Sequence, residues 1–280
     1  MELSFNIQSA ALDSVPGADR RLVLEAGETH LAILLVRVSS PKLIALRYYQ
    51  FTAGGAEDAY RQMLFDPLVS DHREGPVDVF FHTRESVLVP EVLYAGAGGE
   101  RIVSMVHGDL HPGVALEDAV SGQDIRNLYR IPEEIISTIH RRFPGARFRH
   151  GNTALLQMLH DRQDIFPDSH MFLQVYPNMI TVAVIRNLQC QLVQSYPYDI
   201  PEDVSYHLLN TMEQLSLNPD SLPVSVSGLI DPSSPLYVEL LKYFRHLETY
   251  PAGACLGLDE AFEVFPPHFF TPQTILAACV

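Results

Sequence analysis

The segment Val106-His107-Gly108-Asp109-Leu110-His111-Pro112-Gly113 groups the residues best suited to chemistry. His107 and His111, at i and i+4, have the spacing of two metal ligands on one helix face. Gly108, Pro112 and Gly113 oppose a regular helix there, so the two imidazoles need not share a face. A second grouping is basic and aromatic: His140-Arg141-Arg142-Phe143 and Arg147-Phe148-Arg149-His150. Such patches can bind nucleic acid, but a helix end and its following turn account for the same charges. Cys190, Cys255 and Cys279 are far apart and form no CxxC pair, so they suggest neither a zinc site nor a disulfide framework. No GxSxG elbow marks a nucleophilic serine.

The segment around Asp109 resembles the catalytic loop of aminoglycoside and choline phosphotransferases. In those enzymes the Asp is the base, and an Asn five residues later holds Mg²⁺. Here that later position is Val114, and the only upstream lysine, Lys42, follows Pro41 in an expected hairpin turn. The segment reads as a surface loop, with no catalytic residue and no metal ligand assigned. Acidic residues outnumber basic ones 34 to 19, for a net charge of −15. So negative a surface repels phosphates, which argues against nucleic acid and anionic membranes as partners. With 47% hydrophobic and 19% charged residues the chain is globular, and 280 residues suit one large domain or two modest ones. The first ten residues lack a signal-peptide pattern, and the apolar run Leu31 to Val36 is far short of the roughly 20 residues of a membrane helix. A cytoplasmic protein without membrane insertion is expected.

These groups need elements to position them. In the second half Met171 to Tyr176, Met179 to Arg186 and Gln189 to Tyr196 read as three strands of a meander. A helix opens at Pro201, with Val204, Leu208, Met212 and Leu215 on one face. Pro223 to Ser227 is a strand ending at Gly228. Ser234-Pro235 opens a helix whose stripe is Leu236, Leu240, Phe244 and Leu247. The first half carries a blurred version of this order. His30 to Val38 and Leu43 to Phe51 are a strand pair, and Val77 to Phe81 is a further strand. Helices are expected after Gly54-Gly55, at Glu91, from Glu133 to Phe143 and from Asn152. The polar stretch Asp161 to Ser169 is the candidate linker, giving domains 1–165 and 166–280.

The meander ending in Ser195-Tyr196-Pro197-Tyr198, then Pro201-Glu202-Asp203-Val204 and Val224-Ser225-Val226-Ser227-Gly228, resembles domain-of-unknown-function family 3822. So do Val87-Leu88-Val89-Pro90-Glu91 with Leu93-Tyr94, and Asn127-Leu128-Tyr129-Arg130-Ile131-Pro132. The resemblance implies an α/β fold of actin-like ATPase architecture, with two ribonuclease-H-like lobes, mixed sheets and flanking helices. It implies no known activity. Actin-like ATPases hold phosphate with hairpin loops bearing Asp and Gly. The expected loops here, around Ser39 and Ser40 and around Tyr176 and Asn178, have neither, and Ser227-Gly228 keeps one glycine. The cleft therefore reads as degenerate, with no cofactor. The leading functional reading is a non-catalytic module that binds a protein partner or itself, with Phe265, Phe269 and Phe270 as its candidate surface. The alternatives are a diverged actin-like ATPase and a small-molecule phosphotransferase.

Overall fold

The structure, a computed structural model, describes residues 1–52, 54–94, 98–108 and 113–280. Residues 1–157, 256–263 and 275–280 form one unit; residues 158–255 and 264–274 form a second.

The first unit begins with strands β1 (Glu2–Gln8), β2 (Arg20–Gly27), β3 (His30–Arg37) and β4 (Lys42–Gln50). Helices α1 (Ala56–Met63) and α2 (Pro67–Ser70) lead to strand β5 (Val77–His82). An excursion follows: β6 (Ser86–Pro90), α3 (Glu91–Tyr94), α4 (Gly99–His107), β7 (Val114–Ala119) and β8 (Ile125–Ile131). Helix α5 (Glu133–Arg142), strand β9 (Arg147–His150) and helix α6 (Gly151–Asp161) complete the run. The main sheet has the order β1-β4-β3-β2-β5-β9. Strands β2, β3 and β4 are antiparallel neighbours, whereas β2, β5 and β9 run parallel. Seven of the eight residues of β3 are buried, and after His30 they form an unbroken apolar run, Leu31 to Val36, as expected of a strand covered on both faces. One face packs Leu22, Leu24, Ile33, Val79 and Phe81 with Tyr60 and Met63 of α1 and Ile139 of α5.

The second unit carries β10 (His170–Val175), β11 (Met179–Arg186), β12 (Gln189–Pro197), α7 (Pro201–Gln214), β13 (Val224–Gly228), α8 (Pro235–Leu240) and β14 (Leu247–Thr249). Its sheet order is β12-β11-β10-β13-β14, with β10, β13 and β14 parallel. This repeats β4-β3-β2-β5-β9 strand for strand: three antiparallel strands, then two parallel additions beside the first. Val204, Leu208 and Met212 of α7 bury against Leu173, Val182 and Val226. Pro201 occupies the first helical turn, where its missing N–H costs nothing, and the Asp203 carboxylate accepts from the Ile200 backbone N–H at 3.1 Å. After this unit, β15 (Gly257–Leu258) pairs with β4, and α9 (Thr271–Ala278) ends the chain.

Three differences from the sequence reading have physical causes. Strands β1 and β2 were not expected; Arg20, Arg21 and Glu25 interrupt the apolar pattern of β2, although Glu25 itself is buried. Because β2 is the first strand of the repeated motif, its hairpin is Glu28-Thr29, and the loop of Ser39 and Ser40 joins the second and third strands instead. The helix from Pro235 stops at Leu240, so Phe244 lies in a turn and Leu247 opens β14. All four residues of that stripe still meet in one core.

Candidate functional site

In open α/β sheets ligands lie beyond the carboxyl ends of the parallel strands. In the first unit those ends are Gly27, His82 and His150, in register through the β2–β5 and β5–β9 ladders. Three polar side chains converge there. Glu25 lies on β2, His30 opens β3 and His82 closes β5, and none is more than 1% exposed. The Glu25 Oε1 atom is 3.4 Å from His30 Nε2 and 3.6 Å from His82 Nδ1. Burial alone would raise the Glu25 pKa, but the charge of His30 and hydrogen bonds from His30 and His82 outweigh it and hold the carboxyl well below the usual range. Burial pushes the His82 imidazole down, with Glu25 opposing that shift. The group is thus a carboxylate facing imidazoles, the donor set that can hold a metal ion.

Neighbours fix these rings. His30 stacks on Tyr48, with centroids 5.6 Å apart and planes 8° from parallel. A Cβ at Gly27 would stand 2.2 Å from His30 Cε1, so only glycine lets the ring fold over the strand end. The Gly27 carbonyl accepts from the Tyr60 hydroxyl. Glu28, in the hairpin, accepts from the backbone N–H of Arg84 at 3.1 Å and from its guanidinium at 3.0 Å.

A second buried polar network starts at His150. Its Nδ1 accepts from Asn152 N–H at 3.0 Å, and its Nε2 lies 3.1 Å from the Thr83 carbonyl. Burial, with the charge of His82 second, pushes its pKa down to about 3. A proton on Nδ1 would also face the Asn152 N–H. Asp118 of β7 accepts from His150 N–H at 2.7 Å, Thr153 Oγ1 at 2.8 Å and the Tyr129 hydroxyl at 3.2 Å. Burial raises its pKa in spite of these bonds. Asn127 of β8 donates to Thr153 Oγ1 at 3.1 Å and accepts from Ser86 Oγ at 2.6 Å. The network joins the excursion to the start of α6.

In the second unit the corresponding loops are occupied by their own protein. Tyr176 is buried, its N–H donates to Met179 O at 2.9 Å, and its carbonyl accepts from the Tyr198 hydroxyl at 2.8 Å. Asn178 is exposed. Ser227 Oγ donates to Leu173 O at 3.3 Å. The N–H groups of Gly228, Leu229 and Ile230 donate to His268 O, Val175 O and Gly228 O, each at 2.8 Å. Gly228 has φ +92°, and a Cβ there would lie 2.2 Å from Val175 O.

The remaining sequence candidates separate. Ser39 is held by Asp19, its N–H and Oγ each 2.7 Å from a carboxylate oxygen, and Ser40 is exposed. His107 is the last residue of α4 and Gly108 caps it, with its carbonyl accepting from Arg130 Nη1 at 2.8 Å. Asp109 and His111 lie outside the described residues. Val114 opens β7, so the segment links a helix to the small sheet. Three arginines of the basic patch are engaged internally, whereas His140 and Arg141 are exposed: Arg142 reaches the carbonyls of Ser70 and His72 at 3.2 and 3.3 Å, Arg147 pairs with Asp78 at 2.7 Å, and Arg149 donates to Cys279 O at 2.5 Å. Phe265 and Phe269 are half-buried. Phe270 is buried, and Phe265 meets it edge-on at 5.3 Å, so Phe270 is core and not surface. A cavity of about 230 Å³ is lined by Arg20, Arg47, His72 and Arg73 together with Asp13, Asp71 and Glu74; Arg20 bonds Val15 O and Leu12 O, and Arg47 bonds Asp66. Sequence reading passed over Glu25, His30 and His82. Their signal was present as ionisable residues within or at the ends of buried apolar runs.

Solved structures place this architecture. A Bacteroides thetaiotaomicron protein of actin-like ATPase fold and unknown function matches with a TM-score of 0.78 and 14% identity, over 93% of this chain and 96% of that one. The PilM-PilN type IV pilus biogenesis complex matches with a TM-score of 0.60 and 14% identity, over 93% and 98%. The fold is therefore mixed α/β of the actin-like ATPase type, with the ribonuclease-H-like strand order in both units. Among curated proteins none matches the chain in sequence. No helix among the described residues is long and apolar enough to cross a membrane. The model of the family described as "Protein of unknown function (DUF3822)" matches residues 12–247, and the chain belongs to that family.

Proposed function

We propose that this protein is a non-catalytic actin-like module that works through contacts with another protein. The observation that carries the reading is the commitment of the loop amides in the second unit. Backbone N–H groups bind polyphosphate only when they point outward. Those of Tyr176, Gly228, Leu229 and Ile230 all donate to carbonyls of their own unit, and Pro177 has none to give.

Contact with a partner is supported by likeness to the PilM-PilN complex, a protein-protein assembly. It is also supported by the excursion, where Val92 of α3 and Met105 of α4 are 82% and 81% exposed and Leu93 and Val106 are exposed beside them in sequence. Large apolar side chains left in water mark contact surfaces better than the half-buried Phe265 and Phe269 do.

Isothermal titration with MgATP tests the first half, with no binding heat expected; a micromolar Kd refutes it. For the second half, partners cross-linked in the source cells should be lost from a Val92→Asp/Met105→Glu variant that stays folded. An unchanged partner set refutes that surface.

A further inference from the structure

The carboxyl edge of the first unit's parallel strands holds a group of side chains that the protein-contact reading does not use. Glu25, His30 and His82 come from three adjacent strands, and their ligand atoms all lie within 4.8 Å of one another. We propose that Glu25, His30 and His82 form a binding site for a single divalent transition-metal ion of the zinc type.

The spacing supports this reading. A tetrahedral ion with bonds of roughly 2.0–2.1 Å sets its donors about 3.3–3.5 Å apart. Glu25 Oε1 stands 3.4 Å from His30 Nε2 and 3.6 Å from His82 Nδ1, so small rotations bring both imidazoles onto one ion with the carboxylate. Donor chemistry then selects the metal. Two imidazole nitrogens with one carboxylate oxygen suit zinc, cobalt or nickel, whereas magnesium and calcium demand oxygen. Three protein donors leave a fourth position for water or another small ligand.

The surroundings are shaped to hold the donors in place. Gly27 gives up its side chain to make room for the His30 ring, and Tyr48 stacks on the other face of that ring. His82 is flanked by His150, with ring centroids 6.2 Å apart. An ion here would cross-link β2, β3 and β5 next to the Glu28-Thr29 hairpin. That role is independent of the protein-contact reading, so either stands or falls alone.

The test uses the full chain and the metal alone. Protein unfolded with chelator is refolded with Co²⁺ and passed through gel filtration. The expected result is about one retained equivalent, with visible d–d bands and an X-ray absorption spectrum fitted by nitrogen and oxygen donors only. Glu25→Gln and His82→Asn are each expected to lose the retained metal. Because a buried substitution can unfold the unit, the wild-type protein supplies the decisive measurement. The site is overturned if refolded wild type, native by circular dichroism, keeps less than about a tenth of an equivalent. It is equally overturned if the bound cobalt shows thiolate charge-transfer bands, or if folded variants keep the full equivalent.

Discussion

Lowering the pH from 7 to 5 is expected to weaken the first unit through His150 alone by about 2 kcal/mol. In the folded chain the imidazole is buried and its pKa is pushed down to about 3. In the unfolded chain it returns to about 6.5. Between these values the unfolded state binds a proton that the folded state does not, so stability falls as pH falls. Integrating that difference gives almost no loss at pH 7 and about 2 kcal/mol at pH 5, with the rest lost as pH approaches 3. Replacing His150 with Asn isolates the effect. The amide oxygen can accept from Asn152 N–H, as Nδ1 does at 3.0 Å, and it does not titrate. The variant is expected to be less stable than wild type at pH 7, and the gap should close by about 2 kcal/mol at pH 5. Opening free energies of β2 and β5 amides by hydrogen exchange report on this unit directly. A gap that stays constant within about 0.5 kcal/mol would show that His150 is not held neutral by its surroundings.

Gly228→Ala is expected to cost at least about 2 kcal/mol, since φ is +92° and the new Cβ would meet the Val175 backbone; an unchanged melting temperature would refute this. Asp66 caps α2 through Leu68 N–H at 2.9 Å and accepts from Arg47 at 2.8 Å and from the Tyr49 hydroxyl. Asp66→Ala is therefore expected to lose about 2–3 kcal/mol in chemical denaturation. The same change should lower the Tyr49 pKa from about 12, where burial first and Asp66 second hold it. An ultraviolet titration with no tyrosine moving downward would contradict that.

The second unit was legible in the sequence because each of its elements is locally consistent. Strands β10 and β11 are largely apolar, the turns of the meander are three and two residues long, and Pro201 with Asp203 marks the start of α7. The first unit was less legible because its polar residues sit inside strands. Glu25 breaks the pattern of β2, and without β2 the repeated strand order cannot be counted from its true first member. The candidate site was hidden for the same reason. Its members are 57 positions apart along the chain, from Glu25 to His82, and only the β2–β5 ladder brings them together. Conversely, the most suggestive sequence motif, around Asp109, connects a helix to a strand.

The excursion between β5 and α5 is closed at its base. Arg130 N–H donates to Glu85 O at 3.1 Å, so the chain leaves and re-enters the core one hydrogen bond apart. A segment with adjoining ends can be exchanged, shortened or elaborated over evolution while the parallel strands keep their register. The barrier to such exchange is chemical. Asp118 is the acceptor for His150 N–H and Thr153 Oγ1, both at the foot of α6. A descendant that lost Asp118 while keeping that helix start covered would leave two buried donors without their acceptor, so the segment can diversify at its apolar tip far more readily than at its acidic root.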